Sequence, residues 1–226
     1  MHLCLAEELE KVIEIENRNN FRIGHILPDA VITADKKQVN THFIRNFEEK
    51  GRFYKIFDYY GFYDRFKAFL HDEIFLGYYF HLIEDNIFRR ILYTDLKMMN
   101  RRGDSEFLKE LYADYGILNG VLIEKYSLKN DLDLPNAFTD CKINDIYNFE
   151  LIDFLQDMDK DFCDNACYKV ETPKIFTESI TESYFKQCVD VCLAEYECLF
   201  KGKRFLSENE LAFEINGKSR QFSVKH

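Results

Sequence analysis

The scarcity of residues that interrupt helices is the feature that most restricts how this chain can fold. Its 226 residues include only three prolines, Pro28, Pro135 and Pro173, and nine glycines. Because proline and glycine are the strongest helix breakers, we expect long helices and an all-α, mainly helical fold. Hydrophobic residues make up 46% of the chain and include 22 Phe and 14 Tyr, which is enough for a largely aromatic core.

Apolar residues at helical spacing predict a first helix over residues 3–17. Residues 21–32 contain a glycine and a proline, and we interpret them as a short irregular or extended segment. At least two helices fit between residues 41 and 99, with breaks near "EEKGR" and "YYGFYD". The stretch 65–93 is the strongest helical candidate.

Polar residues at 127–145 mark the best internal boundary. It separates a core of residues 1–126 from a C-terminal extension of residues 127–226, which we expect to pack on the core as one unit. A helix capped by Asp104 or Ser105 is expected to end at about Tyr126, just before the boundary. After it, helices are predicted at about 146–160 and 178–200, and Asn216-Gly217 between alternating apolar residues predicts a small β-hairpin.

The formal net charge of −10 makes a nucleic-acid duplex an unfavourable partner, because the two surfaces repel. No stretch reaches the roughly 18 apolar residues of a membrane span, so an integral membrane protein is not expected. Residues 1–18 lack the basic start and apolar run of an export signal, and seven cysteines without such a signal suggest reduced thiols. We therefore expect a cytoplasmic protein, whose oligomeric state these features do not determine.

The histidines are concentrated in the first part of the chain. Five of the six occur within the first 81 residues, and the sixth is His226. His81 and Asp85 are four residues apart, so on a helix they share one face with Cβ atoms about 6 Å apart, and one cation can bridge them. The alternative is that Asp85 pairs with Arg89 while His81 is a core histidine.

Three other histidines have weaker local signals. His25 and Asp29 flank Pro28, where Asp29 either projects into a cavity or forms a turn or helix cap. His42 is either a ligand in a first helical turn or a surface residue. His71 precedes His81 by ten residues, about 15 Å along a continuous helix, so we favour a structural or supporting role for it.

Four segments, in this order, resemble the zinc-dependent phospholipase C family: "HLCLAEEL", "FRIGHILPDAV", "THF" and "LGYYFHLIED". The resemblance is greatest to short cytoplasmic bacterial members described only as hydrolases, and it covers about residues 1–126. It implies a helical bundle of the phospholipase C and single-strand nuclease type. It also implies metal-ligand roles for five residues: His2, Asp29, His42, His81 and Asp85.

By the same resemblance, Asp29 is the aspartate that bridges two metals and accepts the water proton. The sequence departs from the family in lacking a second, later His-x-x-x-Glu pair. Glu110 and Asp114 have the same spacing, so Asp114 is a candidate additional ligand and Glu110 an alternative one. His25 stands where the family more often has a small residue, and it is either an extra ligand or a supporting group.

The function that follows is metal-dependent hydrolysis of a small phosphorylated substrate. One or two zinc ions are expected, with manganese or iron as alternatives. A second hypothesis is a His-Asp-type phosphohydrolase that uses His42, His71 and Asp72, with Asp114 or Asp131 as the last ligand. A third is a non-catalytic metal-binding or scaffold module.

Overall fold

The computed structural model describes residues 1–31, 39–133, 142–163 and 172–215. Over these residues the fold is mainly helical, as predicted, and a small antiparallel sheet accompanies the helices. The α-helices are α1 His2–Leu9, α2 Arg18–Ile26, α3 Tyr59–Phe66, α4 Glu73–Arg90, α5 Ser105–Tyr126, α6 Leu151–Cys163 and α7 Glu178–Leu199. The strands are β1 Ile44–Glu49, β2 Arg52–Phe57 and β3 Phe213–Glu214.

Helix α4 lies at the centre of the molecule. Apolar side chains cover almost its whole circumference, and nearly every residue from Ile74 to Phe88 is buried. A helix that is hydrophobic all round has to be enclosed by other elements, and α1, α2, α3 and α7 pack around this one. The predicted helix over 65–93 therefore exists, but it begins only at Glu73 because the Asp72 side chain caps its first turn.

Helices α2 and α4 cross at two facing glycines. A Cβ atom on Gly24 would lie 2.3 Å from the Ile74 carbonyl oxygen, and one on Gly77 would lie 2.3 Å from the Phe21 carbonyl oxygen. Only glycine permits this distance, so the two backbones are nearly in contact. This crossing places the C-terminal end of α2 beside the middle of α4.

The N-terminal part differs from the prediction for 3–17 and for 21–32. The first helix already ends at Leu9, and the supposedly irregular segment contains α2. Asn17 caps α2 by accepting a hydrogen bond from the Asn20 N–H. Pro28 does not interrupt α2 because it lies in the following 3-10 turn, Leu27–Asp29, near the start of which a proline is tolerated.

A β-hairpin occupies the region where helices were expected around "EEKGR". Strands β1 and β2 pair from Ile44↔Phe57 to Glu49↔Arg52, and their two-residue turn has positive φ at both Lys50 (52°) and Gly51 (76°). Those angles suit the right-handed twist of paired strands. "YYGFYD", predicted as a break, forms most of α3 instead.

The C-terminal part contributes to the same core as the N-terminal part. Asp104 caps α5, which ends at Tyr126 as predicted, and α6 and α7 lie close to the two later helices expected from the sequence. Strand β3 pairs with β2. The predicted Asn216-Gly217 hairpin and His226 lie outside the described residues.

A buried carboxylate links α7 to α4 by hydrogen bonds. Glu195 accepts hydrogen bonds from the Tyr79 hydroxyl (2.7 Å), from Arg204 Nε (2.6 Å) and from the backbone N–H groups of Phe205 and Leu206. A buried charge is tolerated when its hydrogen-bonding capacity is filled in this way. This contact fixes the C-terminal region against the central helix. Of the helices described, none is both long enough and apolar enough to cross a membrane.

Candidate metal centre

The middle of α4 carries three chemically active side chains on adjacent positions of one face: His81, Glu84 and Asp85. His81 is fully buried, and its Nδ1–H donates to the His25 carbonyl oxygen at 2.7 Å. That bond leaves Nε2 as the nitrogen with a free lone pair. Burial, followed by the positive charge of His2, lowers the pKa of His81 to about 4, so the ring is neutral near pH 7.

His2 reaches this face from the first turn of α1. Its ring stacks on that of His81 with centroids 4.0 Å apart, and its Nδ1–H donates to Glu84 Oε2 at 2.7 Å. The other nitrogen, Nε2, lies 3.7 Å from Asp85 Oδ1. Burial alone would lower the pKa of His2, but the hydrogen bond and charge of Glu84 outweigh burial and raise it.

His42 approaches from the segment before β1. Its Nε2 lies 3.3 Å from His81 Nε2, 3.2 Å from Asp29 Oδ1 and 3.7 Å from Asp85 Oδ2. Its Nδ1 lies 3.3 Å from the hydroxyl of buried Thr41, which in turn donates to the Pro28 carbonyl oxygen at 2.9 Å. Thr41 therefore links His42 to the turn that carries Asp29.

Asp29 and His42 form a polar pair at the opening of the site. The Asp29 side chain is 47% exposed, whereas those of His2, His42 and Asp85 are mostly covered. Burial would raise the pKa of Asp29, but the hydrogen bond with His42 and the nearby histidine charges hold it far below its usual value. Burial likewise opposes protonation of His42, and Asp29 raises the pKa of that ring above its usual value.

Two overlapping sets of donor atoms have the spacing of a metal site. One consists of His2, Asp29 and His81, the other of His42, His81 and Asp85, and within each set the atoms lie within 4.8 Å of one another. Because the one free nitrogen of His81 can bind a single ion, the two sets describe one compact cluster. We call these five side chains the candidate metal centre.

Two of the separations between donor atoms match those around a transition metal. Two ligands that are each about 2.0–2.1 Å from a tetrahedral ion lie about 3.3 Å apart. The His42–His81 and His42–Asp29 contacts have 3.3 Å and 3.2 Å between these atoms. Imidazole and carboxylate donors fit zinc, iron and manganese.

Glu84 and His25 support the cluster from behind. Glu84 is fully buried, and its Oε1 lies 3.2 Å from Nε2 of buried His25. This is an ion-pair distance, although the two atoms are not aligned as a hydrogen bond. Burial opposes ionisation of Glu84, but the charge of His25 and the bond from His2 lower its pKa to about 2.

An acceptor therefore holds the outward nitrogen of each centre histidine. Glu84 binds Nδ1 of His2, the His25 carbonyl binds Nδ1 of His81, and Thr41 lies at Nδ1 of His42. Metal-binding histidines in proteins typically have such partners, which fix the tautomer and direct Nε2 inward. His25 contributes its backbone carbonyl, which accepts from His81, and belongs to neither donor set.

Two acidic residues predicted as additional ligands lie elsewhere. The Asp114 carboxylate is buried and accepts hydrogen bonds from the backbone N–H groups of Lys174, Ile175 and Phe176 at 2.8, 2.6 and 2.9 Å. The prediction of Asp114 as a ligand is wrong because this carboxylate instead anchors the segment before α7. Glu110 is also not part of the cluster, since it pairs with Arg101 at 3.0 Å.

The ligand set of the His-Asp alternative is not assembled over the described residues. His71 is exposed, and Asp72 accepts a hydrogen bond from the Ile74 N–H as the cap of α4. Both precede the first turn of α4, whereas His42 meets the middle of that helix at His81. The prediction that His42, His71 and Asp72 bind one ion is therefore wrong.

Sequence reasoning overlooked Glu84 and Thr41. An available signal for Glu84 was its position three residues after His81 within an apolar run, where an acidic side chain needs a partner. Thr41 had no comparable signal, because its role depends on the Pro28 carbonyl 13 residues earlier.

A cavity of about 180 Å³ opens beside the centre. Its lining includes His2 and Asp29 but none of the other three centre residues. Apolar side chains of α5 and α6 form much of its wall, including Leu122, Ile123, Phe154, Met158 and Phe162. A polar spot remains where Asn119 donates to Asp161 at 2.9 Å.

The chain matches no protein-family model, no curated protein and no solved structure. The resemblance to zinc-dependent phospholipases C consequently stays a prediction from the sequence.

Proposed function

We propose that this protein is a metal-dependent phosphoester hydrolase. Zinc, as one or two ions, is the expected metal, with manganese or iron as alternatives, and the ligands are His2, Asp29, His42, His81 and Asp85. The observation that carries the proposal is the convergence of three imidazole Nε2 atoms and two carboxylates, each imidazole having its Nδ1 held by an acceptor.

The candidate centre has the chemistry that phosphoester hydrolysis requires. When bound, a metal of this class lowers the pKa of water toward about 7 and offsets the charge of a phosphoryl group. Asp29 is the most exposed of the five ligands, so it is the one best placed to contact water. Because its pKa is low, Asp29 stays ionised and accepts a hydrogen bond that orients the water.

The cavity beside His2 and Asp29 is suited to the alcohol part of the substrate. Its largely apolar wall favours an apolar or aromatic group, and the Asn119–Asp161 pair offers one polar contact. A small phosphorylated compound fits this space better than a nucleic-acid duplex, which the net charge of −10 repels.

The direct test combines metal analysis with an activity assay. Protein purified without chelator should contain one or two transition-metal ions per chain and hydrolyse a chromogenic phosphomonoester or phosphodiester. His81→Ala should abolish both, because it removes the buried ligand shared by the two donor sets. His71→Ala is the matched control, and it should leave both unchanged because His71 is exposed and outside the cluster.

Two results would contradict the proposal. If the protein neither retains nor takes up a transition metal, a scaffold role would be favoured. If His71→Ala abolished activity while His81→Ala did not, His71 and not His81 would be the essential residue. That result would favour the His-Asp alternative.

A further inference from the structure

Over the described residues, three cationic side chains close to the candidate metal centre form no close ion pair. They are Lys55 on β2, Arg89 on α4 and Arg102 just after the 3-10 turn Met98–Arg101. Within the described ranges, no carboxylate oxygen comes within 4.0 Å of their side-chain nitrogens, although Arg45, Arg52 and Arg101 are all paired. We call these three residues the basic face.

Phe57 connects the basic face to the centre. The Lys55 ammonium lies 5.8 Å and the Arg89 guanidinium 6.0 Å from the centroid of its ring. The same ring lies 5.7 Å from that of His42. Asn86 of α4 holds the Phe57 backbone by one bond to its N–H (3.0 Å) and one to its carbonyl (2.7 Å), so this arrangement is anchored.

The chain segment after α4, which leads to Arg102, packs on the sheet that carries Lys55. Tyr93 packs on Phe213 with ring centroids 5.4 Å apart, and Phe213 pairs with Lys55 across β2 and β3. Burial and then the charges of Arg102 and Arg89 lower the pKa of Lys55 to about 8, while Asp85 acts in the opposite direction. Lys55 is therefore repelled by Arg89 and Arg102, whereas Asp85 attracts both Lys55 and Arg89.

Asp85 attracts both Lys55 and Arg89, yet it lies beyond the 4.0 Å of an ion pair from either, in a chain with 40 acidic residues. The buried guanidinium of Arg204, for comparison, binds Glu195 at 2.6 Å. Like charges held together without a counter-ion in direct contact favour an anionic ligand. Arginine offers a planar fork of N–H donors that matches phosphate, and lysine adds a point charge.

We propose that Lys55, Arg89 and Arg102 bind a second phosphate group of the substrate beside the candidate metal centre. The substrate class is therefore a small molecule with two phosphates, of which one is hydrolysed and the other binds the basic face. The assignment of a substrate rests on the proposed hydrolase function. Anion binding by the basic face can be measured separately.

The basic face and the cavity recognise different parts of such a substrate. The cavity is lined by His2 and Asp29, whereas the basic face adjoins Asp85 through Lys55 and His42 through Phe57. The structure thus favours a substrate with an apolar part at one side of the reacting phosphate and an anionic part at the other.

The first experiment measures binding of inorganic pyrophosphate to the full-length protein in chelator, by calorimetry. Lys55→Met and Arg102→Met should each weaken binding by about fivefold, the effect of losing one partly exposed charge-assisted contact. Two matched controls should bind like wild type: Arg90→Met, which removes the exposed neighbour of Arg89, and Arg52→Met, whose arginine is paired with Glu214. Circular dichroism verifies the fold of every variant.

The second experiment compares two chromogenic diesters that differ by one phosphate, thymidine 5′-(4-nitrophenyl phosphate) and its 3′-phosphorylated counterpart. The zinc-loaded wild type should have a lower KM for the latter, and Lys55→Met and Arg102→Met should remove that preference without raising the KM of the former.

The outcomes separate the two proposals. If wild type does not bind pyrophosphate, or if Lys55→Met and Arg102→Met bind it as tightly as Arg90→Met, the basic-face proposal is overturned even when diesters are hydrolysed. If pyrophosphate binding depends on Lys55 and Arg102 but neither diester is hydrolysed, the anion site is supported and the hydrolase proposal fails.

Discussion

Replacing Gly77 by alanine tests whether the close crossing of α2 and α4 positions the candidate metal centre. In an uncrowded helix this substitution would stabilise the protein by about 1 kcal/mol, because alanine is the better helix former. At this position the new Cβ would lie 2.3 Å from the Phe21 carbonyl oxygen and 2.9 Å from the His25 nitrogen. We therefore expect Gly77→Ala to destabilise the protein.

The size of the effect follows from the separation that the new methyl group demands. Increasing the shorter contact from 2.3 Å to about 3.0 Å requires the helices to move apart by about 0.7 Å. The same movement would lengthen the bond from His81 Nδ1 to the His25 carbonyl from 2.7 Å to about 3.4 Å, beyond hydrogen-bonding range. Overpacking costs about 1–3 kcal/mol and the lost bond about 1 kcal/mol, so after the helix-propensity gain the net destabilisation is about 2 kcal/mol.

Calorimetric unfolding in chelator measures this loss of stability directly. For a chain of this length, about 2 kcal/mol corresponds to a fall in Tm of about 4–8 °C. Zinc affinity should also fall by about tenfold, because His81 would lose the acceptor that orients its ring. A Tm that rises on Gly77→Ala, or an unchanged zinc affinity in a destabilised variant, would refute the link between the helix crossing and the centre.

Three further predictions concern individual groups. Asp114→Asn should destabilise the protein by about 2–4 kcal/mol in denaturant titrations, because an amide NH₂ would face backbone N–H donors, while zinc content stays unchanged. Glu84→Gln should weaken zinc binding in competition titrations by about tenfold or more, since His2 loses its charged acceptor; equal affinity would exclude this role. Zinc affinity should also weaken as the pH falls from about 8 to about 6, because the raised pKa values of His2 and His42 let protons compete in this range. An affinity that is flat over that range would contradict the assignment of both histidines as ligands.

Local signals in the sequence predicted several helices well. Asp104 begins α5 as a capping residue, and α5 ends at Tyr126 as expected. The apolar run around His81 predicted the central helix correctly. These features depend on side chains within one or two helical turns, so a short window of sequence contains the relevant interactions.

The errors occurred where distant contacts outweigh local preference. Gly24 is a helix breaker by propensity, yet α2 continues through it because the crossing with α4 requires a residue without a side chain. The β1–β2 hairpin was taken for helix, and it is anchored by Asn86 to Phe57 and extended by β3 from the other end of the chain. Neither anchor can be inferred from residues 44–57 alone.

At the candidate site, too, some features follow from local sequence and others from distant contacts. His81/Asp85 and Glu110/Asp114 have identical spacing, which by itself determined only that each pair shares a helix face. The tertiary structure decided that Asp85 lies near three imidazoles, whereas Asp114 binds the backbone of residues 174–176. Sequence alone thus specified helices, caps and the residue types available for chemistry. Which nitrogen faces the centre and which carboxylate remains available depend on partners that are distant along the chain and adjacent only after folding.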